Sequence, residues 1–300
     1  MKKALLAATA LAAISGSALG DTYVLGMKGP GAGNPFWAAV ESGATEKGKE
    51  LGVDVVVLAP PAESDVQAQI TQIEDQITKG ADGIALAPTD PNALAPVVDA
   101  AKAKGIPVVF VDTKGINDGV TFIGTNNEMG AKLAADFICS KIAKGSEVAI
   151  LQGIITQSTG QARANGAKAG LDGCGLKVVA EQTAEWDRAK GQAVTENILT
   201  GNPNIKAIFA SNDNMALGAV EALKAAGKLQ DVMVVGFDAN PDAAASILAG
   251  EMTASVAQAP KNMGAFGVQS LVKLKKGETI EPVIDTGTVL VTKDNAAQFK

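Results

Sequence analysis

Short apolar runs rich in β-branched residues alternate along this chain with longer stretches in which apolar positions recur every three or four residues. Residues 22–27, 53–59, 83–87 and 107–111 are runs of the first kind. They are too uniformly apolar to have one wet face and are read as strands buried on both sides. Residues 36–51, 65–79 and 91–104 between them read as helices; in the second, Val66, Ile70, Ile73 and Ile77 share one face. The rhythm restarts after Gly124, with strands expected at 147–151, 177–181, 205–209 and 232–236. Helices are expected at 127–144, 160–171, 188–200, 214–226 and 241–248. This alternation predicts an α/β protein with parallel sheets wrapped by helices.

So many βα units close into one barrel or into two open sheets. Two sheets are favoured, because residues 120–124 and 253–257 look like extended segments passing between lobes, and the tail over 281–291 ends in a further strand. The expected organisation is a first lobe of 21–124 with 255–284 and a second of 125–254 with 285–300. Three crossings, near residues 124, 254 and 285, would make the hinge. Residues 1–20 stand apart: Lys2 and Lys3 precede an unbroken apolar stretch from Ala4 to Ile14, and small residues follow up to Gly20. That is the pattern of an export signal, too short to span a bilayer, with cleavage expected after Gly20. No later segment approaches eighteen uninterrupted apolar residues, so a soluble mature protein is expected.

Cleavage removes two lysines and no acid, taking the formal charge from −6 to −8. An acidic chain is a poor nucleic-acid binder. Histidine is absent, which excludes Ser-His-Asp and Cys-His catalysis and the usual zinc sites; no cofactor or metal is expected. Cys139 and Cys174 are expected to bridge in an exported chain, with two free buried thiols as the alternative. Gly29-Pro30-Gly31-Ala32-Gly33 follows a strand as a dinucleotide loop would, but Asn34 stands where the last glycine is needed and a proline interrupts; no phosphate-loop motif occurs elsewhere.

Polar and aromatic residues gather just after the strands, where an open α/β sheet places its ligand crevice. Lys28, Asn34, Phe36 and Trp37 follow the first strand and Asp112 the fourth; Arg163, Trp186, Asn212, Asp238 and Gln258 come later. Both tryptophans of the chain sit among turn-forming and charged residues, a flat apolar face beside hydrogen-bonding groups. Each also has a local reading. Asn34 and Asn212 are good helix caps, Asp238 suits a turn, Trp186 could cover a core edge, and Arg163 could face solvent. Asp54, Asp82, Asp90 and the region around Lys261 are read as surface or capping residues.

Asn34-Pro35-Phe36-Trp37, Val111-Asp112, Arg163-Ala164-Asn165-Gly166, Glu185-Trp186-Asp187-Arg188, Ser211-Asn212-Asp213, Val235-Gly236-Phe237-Asp238 and Val256-Ala257-Gln258 follow a familiar order and spacing. In them the chain resembles the type I periplasmic sugar-binding proteins that feed ATP-binding-cassette importers, above all the ribose- and allose-binding subgroup. The resemblance spans residues 22–300. It implies that Asn34, Phe36, Trp37, Asp112, Arg163, Trp186, Asn212, Asp238 and Gln258 line a sugar cleft, with Lys28 matching a lysine of allose-type members. It also implies a monomer that binds a monosaccharide or polyol and docks on a membrane permease, with a chemoreceptor as a further partner. The chemistry suits a neutral sugar: aromatic rings face its C–H surfaces, Asp112 and Asp238 accept from hydroxyls, Arg163 and Lys28 donate, and the amides do both.

The ribose-type pattern has an arginine directly after the fourth-strand aspartate and an asparagine before the proline that follows the third strand. Here those positions hold Thr113 and Ala87. A wider cleft suited to a hexose or polyol ahead of ribose is the expectation. The competing class is a carbohydrate-active enzyme with Asp112 and Asp238 as acid and base. Arg163 and Lys28 argue against it, since cations are expected to hold both carboxyls ionised. A sugar-responsive repressor would need a helix-turn-helix before Thr22, where a signal stands instead.

Overall fold

A computed structural model describes residues 20–300; the expected export signal lies outside the described residues but for Gly20. The first lobe runs through β1 (Thr22–Gly26), α1 (Pro35–Leu51), β2 (Asp54–Leu58), α2 (Val66–Lys79), β3 (Gly83–Leu86), α3 (Pro91–Ala103), β4 (Val108–Val111) and β5 (Thr121–Gly124). The second comprises α4 (Asn127–Lys141), β6 (Glu147–Gln152), α5 (Ser158–Gly173), β7 (Lys177–Thr183), α6 (Arg188–Gly201), β8 (Ala207–Ala210), α7 (Asp213–Ala225), β9 (Met233–Asp238), α8 (Pro241–Ala249) and β10 (Ala254–Ala257). The chain then returns to the first lobe for α9 (Pro260–Lys275) and β11 (Val283–Asp285), and ends in the second with β12 (Val289–Val291).

Two six-stranded sheets result, ordered β11-β5-β4-β3-β1-β2 and β12-β10-β9-β8-β6-β7. The first is parallel throughout; in the second only β12 runs antiparallel, against β10. Alternate strand residues bury on opposite faces, as a period of two requires. Tyr23 and Leu25 pack with Val109 and Val111 under α1 and α9, whereas Val24 packs with Ile84 and Phe110 under α2 and α3. In the second lobe Leu151, Ile208 and Val234 face α6, α7 and α8, and Ile150, Phe209 and Val235 face α4 and α5. Among the described residues no helix is long and apolar enough to cross a membrane.

Helix ends obey the local chemistry. The Asn34 side chain accepts from Phe36 N and Pro35 opens α1, while Gly52 at φ 69° closes it. Asp65 and Asp90 cap α2 and α3. Cys139 on α4 and Cys174 at the end of α5 are joined by a disulfide that staples these neighbouring helices.

Three sequence expectations shift. Residues Ala254–Ala257 pair with β9, so the second crossing lies beyond Ala257 rather than near 254. The tail supplies one short strand to each sheet, β11 and β12, rather than a single terminal strand. Lys261 lies on the surface as read, but the region around it opens the sixteen-residue α9, a helix absent from the sequence reading. Gly264 and Gly267 weaken its helical pattern, and tertiary packing explains the first of them. A Cβ on Gly264 would strike the carbonyl oxygen of Val40, just as one on Gly43 would strike that of Lys261, so the two glycines let α1 and α9 cross backbone to backbone.

Candidate functional site

Lys28, Asn34, Phe36, Trp37, Asp112, Arg163, Trp186, Asn212, Asp238 and Gln258, all ten residues singled out in the sequence, line one cavity at the junction of the lobes. Glu63 and Thr159 line it as well. Each stands at or just after the carboxyl end of a strand: Lys28 after β1, Glu63 after β2, Asp112 after β4, Thr159 and Arg163 on the helix after β6. Trp186 follows β7, Asn212 follows β8, Asp238 ends β9, and Gln258 follows β10. Glu63 and Thr159 escaped the sequence reading although the same strand-end rule applies to both. Glu63 lies in a proline-rich turn and Thr159 in a run of small polar residues, with no aromatic or motif to mark them.

The local readings of several residues turn out to be compatible with a place on the cavity wall. Asn212 caps α7 by accepting from Met215 N at 2.9 Å, and its amide donates to the Trp186 carbonyl at 3.2 Å. Asn34 likewise caps α1 and faces the cavity. Trp186 and Arg163 are buried, at 7% and 4% exposure, rather than facing solvent.

Backbone strain concentrates here. Asp112 (φ 59°), Trp186 (φ 65°) and Asp238 (φ 110°) occupy left-handed or still rarer conformations. Among the described residues the only other non-glycines with positive φ are their neighbours Glu185 and Ala239. A bulky side chain in such a conformation costs about 1 to 3 kcal/mol and persists only where the surroundings over-determine it. Three separate strand ends thus give up backbone comfort to aim a side chain at one point.

Charges are paired across the cavity. Lys28 Nζ lies 3.1 Å from Asp112 Oδ2 and 3.7 Å from Glu63 Oε2, and donates to Gln157 Oε1 at 2.9 Å. Its ammonium is 5.7 Å from the Trp37 ring centre and 5.5 Å from that of Trp186. Thr113 donates to Asp112 at 2.6 Å. Arg163 donates to Asn127 Oδ1 at 2.7 Å and to the Ser211 carbonyl at 2.9 Å, lies 3.5 Å from Asp238 Oδ1, and stacks 3.9 Å from the Phe237 ring centre. Gln258 bridges lobe and hinge, donating to Asp238 at 2.6 Å and accepting from Thr125 at 2.7 Å.

Burial outweighs pairing at Asp238. Desolvation pushes its pKa up to about 7; Arg163 and Gln258 pull it down without cancelling that effect, and Asp112 and Glu63 push the same way as burial. The expectation that neighbouring cations hold both carboxyls ionised therefore fails for this one. Behind it Asp213, fully buried, accepts from Ser255 and from Asn240 N, and desolvation followed by Asp238 raises its pKa well above the carboxylate range. Desolvation also lowers the pKa of Arg163.

Ala87 and Thr113, the two departures from the ribose-type pattern, are fully buried and stand behind the cavity wall. The cation position beside Asp112 is taken by Lys28, reaching in from β1. Lys28 and Glu63 extend into the space, and the cavity left free is about 30 Å³, room for about two waters. The expected wider cleft is therefore not what this conformation presents.

Residues 25–279 match a family model described as a periplasmic binding protein domain. The chain is similar to the D-allose-binding periplasmic protein of Escherichia coli, with 41% identity over 279 residues covering 89% of this chain and 86% of that protein. It is 36% identical over 272 residues to the ribose import binding protein of Bacillus subtilis, covering 90% of this chain and 88% of that one. Among solved structures, the myo-inositol-binding protein of Caulobacter, bound to myo-inositol, superposes with a TM-score of 0.86 at 32% identity over 92% of this chain and 95% of its own.

Proposed function

This chain belongs to the periplasmic binding protein family, and on that premise we propose that it is an extracytoplasmic receptor that encloses one neutral monosaccharide between its lobes for an ATP-binding-cassette importer. The observation that carries this reading is the cavity itself. An indole from each lobe and polar side chains from seven strand ends converge on one cavity. Trp37 and Trp186 serve as plates for the C–H faces of a sugar ring, and Phe36 flanks Trp37 edge-on at 5.1 Å. Asp112 and Asp238 accept from ring hydroxyls; Arg163, Asn34, Asn212 and Gln258 complete the rim. With so little free volume in this conformation, ligand enters after the lobes part about the hinge, and reclosure forms the surface that the permease reads.

The ribose- and allose-named relatives support a monosaccharide, and the myo-inositol-bound neighbour supports a cyclitol as the second reading. A thermal-shift panel of D-ribose, D-allose, other hexoses, alditols and myo-inositol at 1 mM tests both. A micromolar ligand adds about 4 kcal/mol, which raises the melting temperature by roughly 8 to 16 °C. If no member moves it, the sugar reading fails; if ribose moves it most, the argument from Thr113 and Ala87 to a hexose or polyol fails.

No bond-breaking step belongs to this reading. The relatives are binding proteins, and turnover of glycosides by the pure protein would overturn it in favour of an enzyme. Export by a signal cleaved after Gly20 is part of the same proposal. The intact mass of protein recovered from the periplasm should begin at Asp21, and a chain retaining residues 1–20 would contradict it. A monomer in solution, a permease partner and a chemoreceptor partner complete the picture; sedimentation giving a dimer would remove the first.

A further inference from the structure

Neither Glu63 nor Gln157 belongs to the set read from the sequence, yet each holds the ring N–H of one indole. Trp37 Nε1 donates to Glu63 Oε1 at 2.7 Å, and Trp186 Nε1 donates to Gln157 Oε1 at 2.9 Å. The first bond lies within the first lobe and the second within the second. Lys28 ties them across the cleft: its ammonium is 3.7 Å from Glu63 and donates to the same Gln157 oxygen that holds Trp186. Gln157 Nε2 in turn donates to the Glu63 carbonyl at 3.5 Å. The next residue, Ser158, both accepts from Lys114 N and donates to Lys114 O at 3.0 Å, extending the interlobe seam.

Gln157 is wholly buried and is not part of the cavity wall; it stands behind Trp186 and Lys28. A direct contact with ligand is therefore not its role. A buried indole N–H needs an acceptor, and a single acceptor on a packed side chain fixes the rotation of the ring in its own plane. One oxygen that serves both Trp186 and the Lys28 ammonium couples the angle of one plate to the position of the other lobe.

Resting on the reading of this cavity as a sugar site, we propose that Glu63 and Gln157 are positioning residues, each pinning one aromatic plate, and that Lys28 links the two anchors across the closed cleft. Glu63 is the first-lobe anchor and Gln157 the second-lobe anchor. The Lys28 ammonium donates to Gln157 and Thr159 and has Asp112 and Glu63 as ion-pair partners at 3.1 and 3.7 Å, so one side chain serves the clamp and still lines the cavity.

The two plates are the only tryptophans in the chain, so fluorescence excited selectively at tryptophan reports on them alone. Gln157→Met keeps the volume and removes the acceptor; Gln157→Asn keeps the amide but shortens its reach by a methylene. Without any sugar, both should red-shift the emission and increase acrylamide quenching relative to wild type while circular dichroism stays native. With whichever of D-allose, D-ribose or myo-inositol binds wild type most tightly, each should weaken binding roughly tenfold or more. Lys28→Met should weaken it similarly, and the Lys28→Met, Gln157→Met double variant should be no worse than the poorer single, because the two act as one device. Unchanged emission and quenching in both Gln157 variants overturns the pinning of Trp186, and losses that multiply in the double variant overturn the link through Lys28. If wild type binds none of the three probes, it is the sugar reading that fails, and the ligand-free fluorescence still decides whether Gln157 holds its plate.

Discussion

Replacing Arg163 by methionine isolates the physics of the second-lobe wall. The guanidinium is buried at 4% exposure and makes hydrogen bonds of 2.7 and 2.9 Å to Asn127 and Ser211, a 3.5 Å ion pair to Asp238, and a stack 3.9 Å from the Phe237 ring centre. Methionine fills most of the volume and supplies none of these. Losing one partner of a buried pair costs about 3 to 5 kcal/mol, mainly because the other charge is left uncompensated. For a chain of this size that corresponds to a melting temperature lower by roughly 6 to 20 °C. The loss should depend on pH. Without Arg163 the pKa of Asp238, already about 7, rises further, and the folded state escapes the penalty by keeping the carboxyl protonated. The unfolded state binds no proton at pH 6 or 8, so each pH unit in that window removes about 1.4 kcal/mol from the variant. Adding Asp238→Asn to Arg163→Met removes the orphaned charge and should restore at least about 2 kcal/mol and flatten the pH slope, without restoring sugar affinity. Melting curves at pH 6 and 8, with titration calorimetry alongside, measure all of this. An Arg163→Met protein that melts within 2 °C of wild type at both pH values would show that the ion pair and its hydrogen bonds do not hold the wall together, refuting the argument.

In the wild type, Asp238 with its raised pKa favours the folded state below the ordinary carboxylate range and loses that effect as pH rises through about 7; stability should therefore fall over that interval, and Asp238→Asn should lose the slope in thermal melts. Replacing Cys139 and Cys174 by alanine opens a loop with a sequence separation of 35 and should lower stability in urea by about 4 kcal/mol; a change below about 1 kcal/mol would mean that the staple constrains little. Gly264→Ala places a methyl against the Val40 carbonyl where α1 and α9 cross and should destabilise by about 1 to 3 kcal/mol, read by the same titration; a neutral result would show that the helices slide apart freely.

The alternation of short apolar runs with helical stretches was enough to specify α/β layers, because strands buried on both faces and amphipathic helices leave opposite marks on a sequence. The caps at Asn34, Asp65 and Asp90 are equally local, and so are the left-handed glycines that end α1 and α2. The candidate wall was legible for a related reason: a residue just past a strand end sits over the crevice whatever its identity, and tryptophan, arginine and aspartate are conspicuous in such places. What remained hidden depends on contacts between segments distant in the chain. The course of α9 is one case, because Gly264 and Gly267 weaken its helical pattern and only the crossing with α1 accounts for the first of them. The membership of β10 in the second sheet is another, since its partners β9 and β12 decide it. Glu63 and Gln157 are the sharpest case. Ninety-four residues separate them, nothing in either neighbourhood announces a role, and their meaning lies in the two indoles and the lysine that meet them across the cleft. Burial, too, belongs to the tertiary structure alone: the sequence placed a cation beside Asp238, but only the folded surroundings, by excluding water, let desolvation win over that cation and leave the carboxyl poised near neutrality.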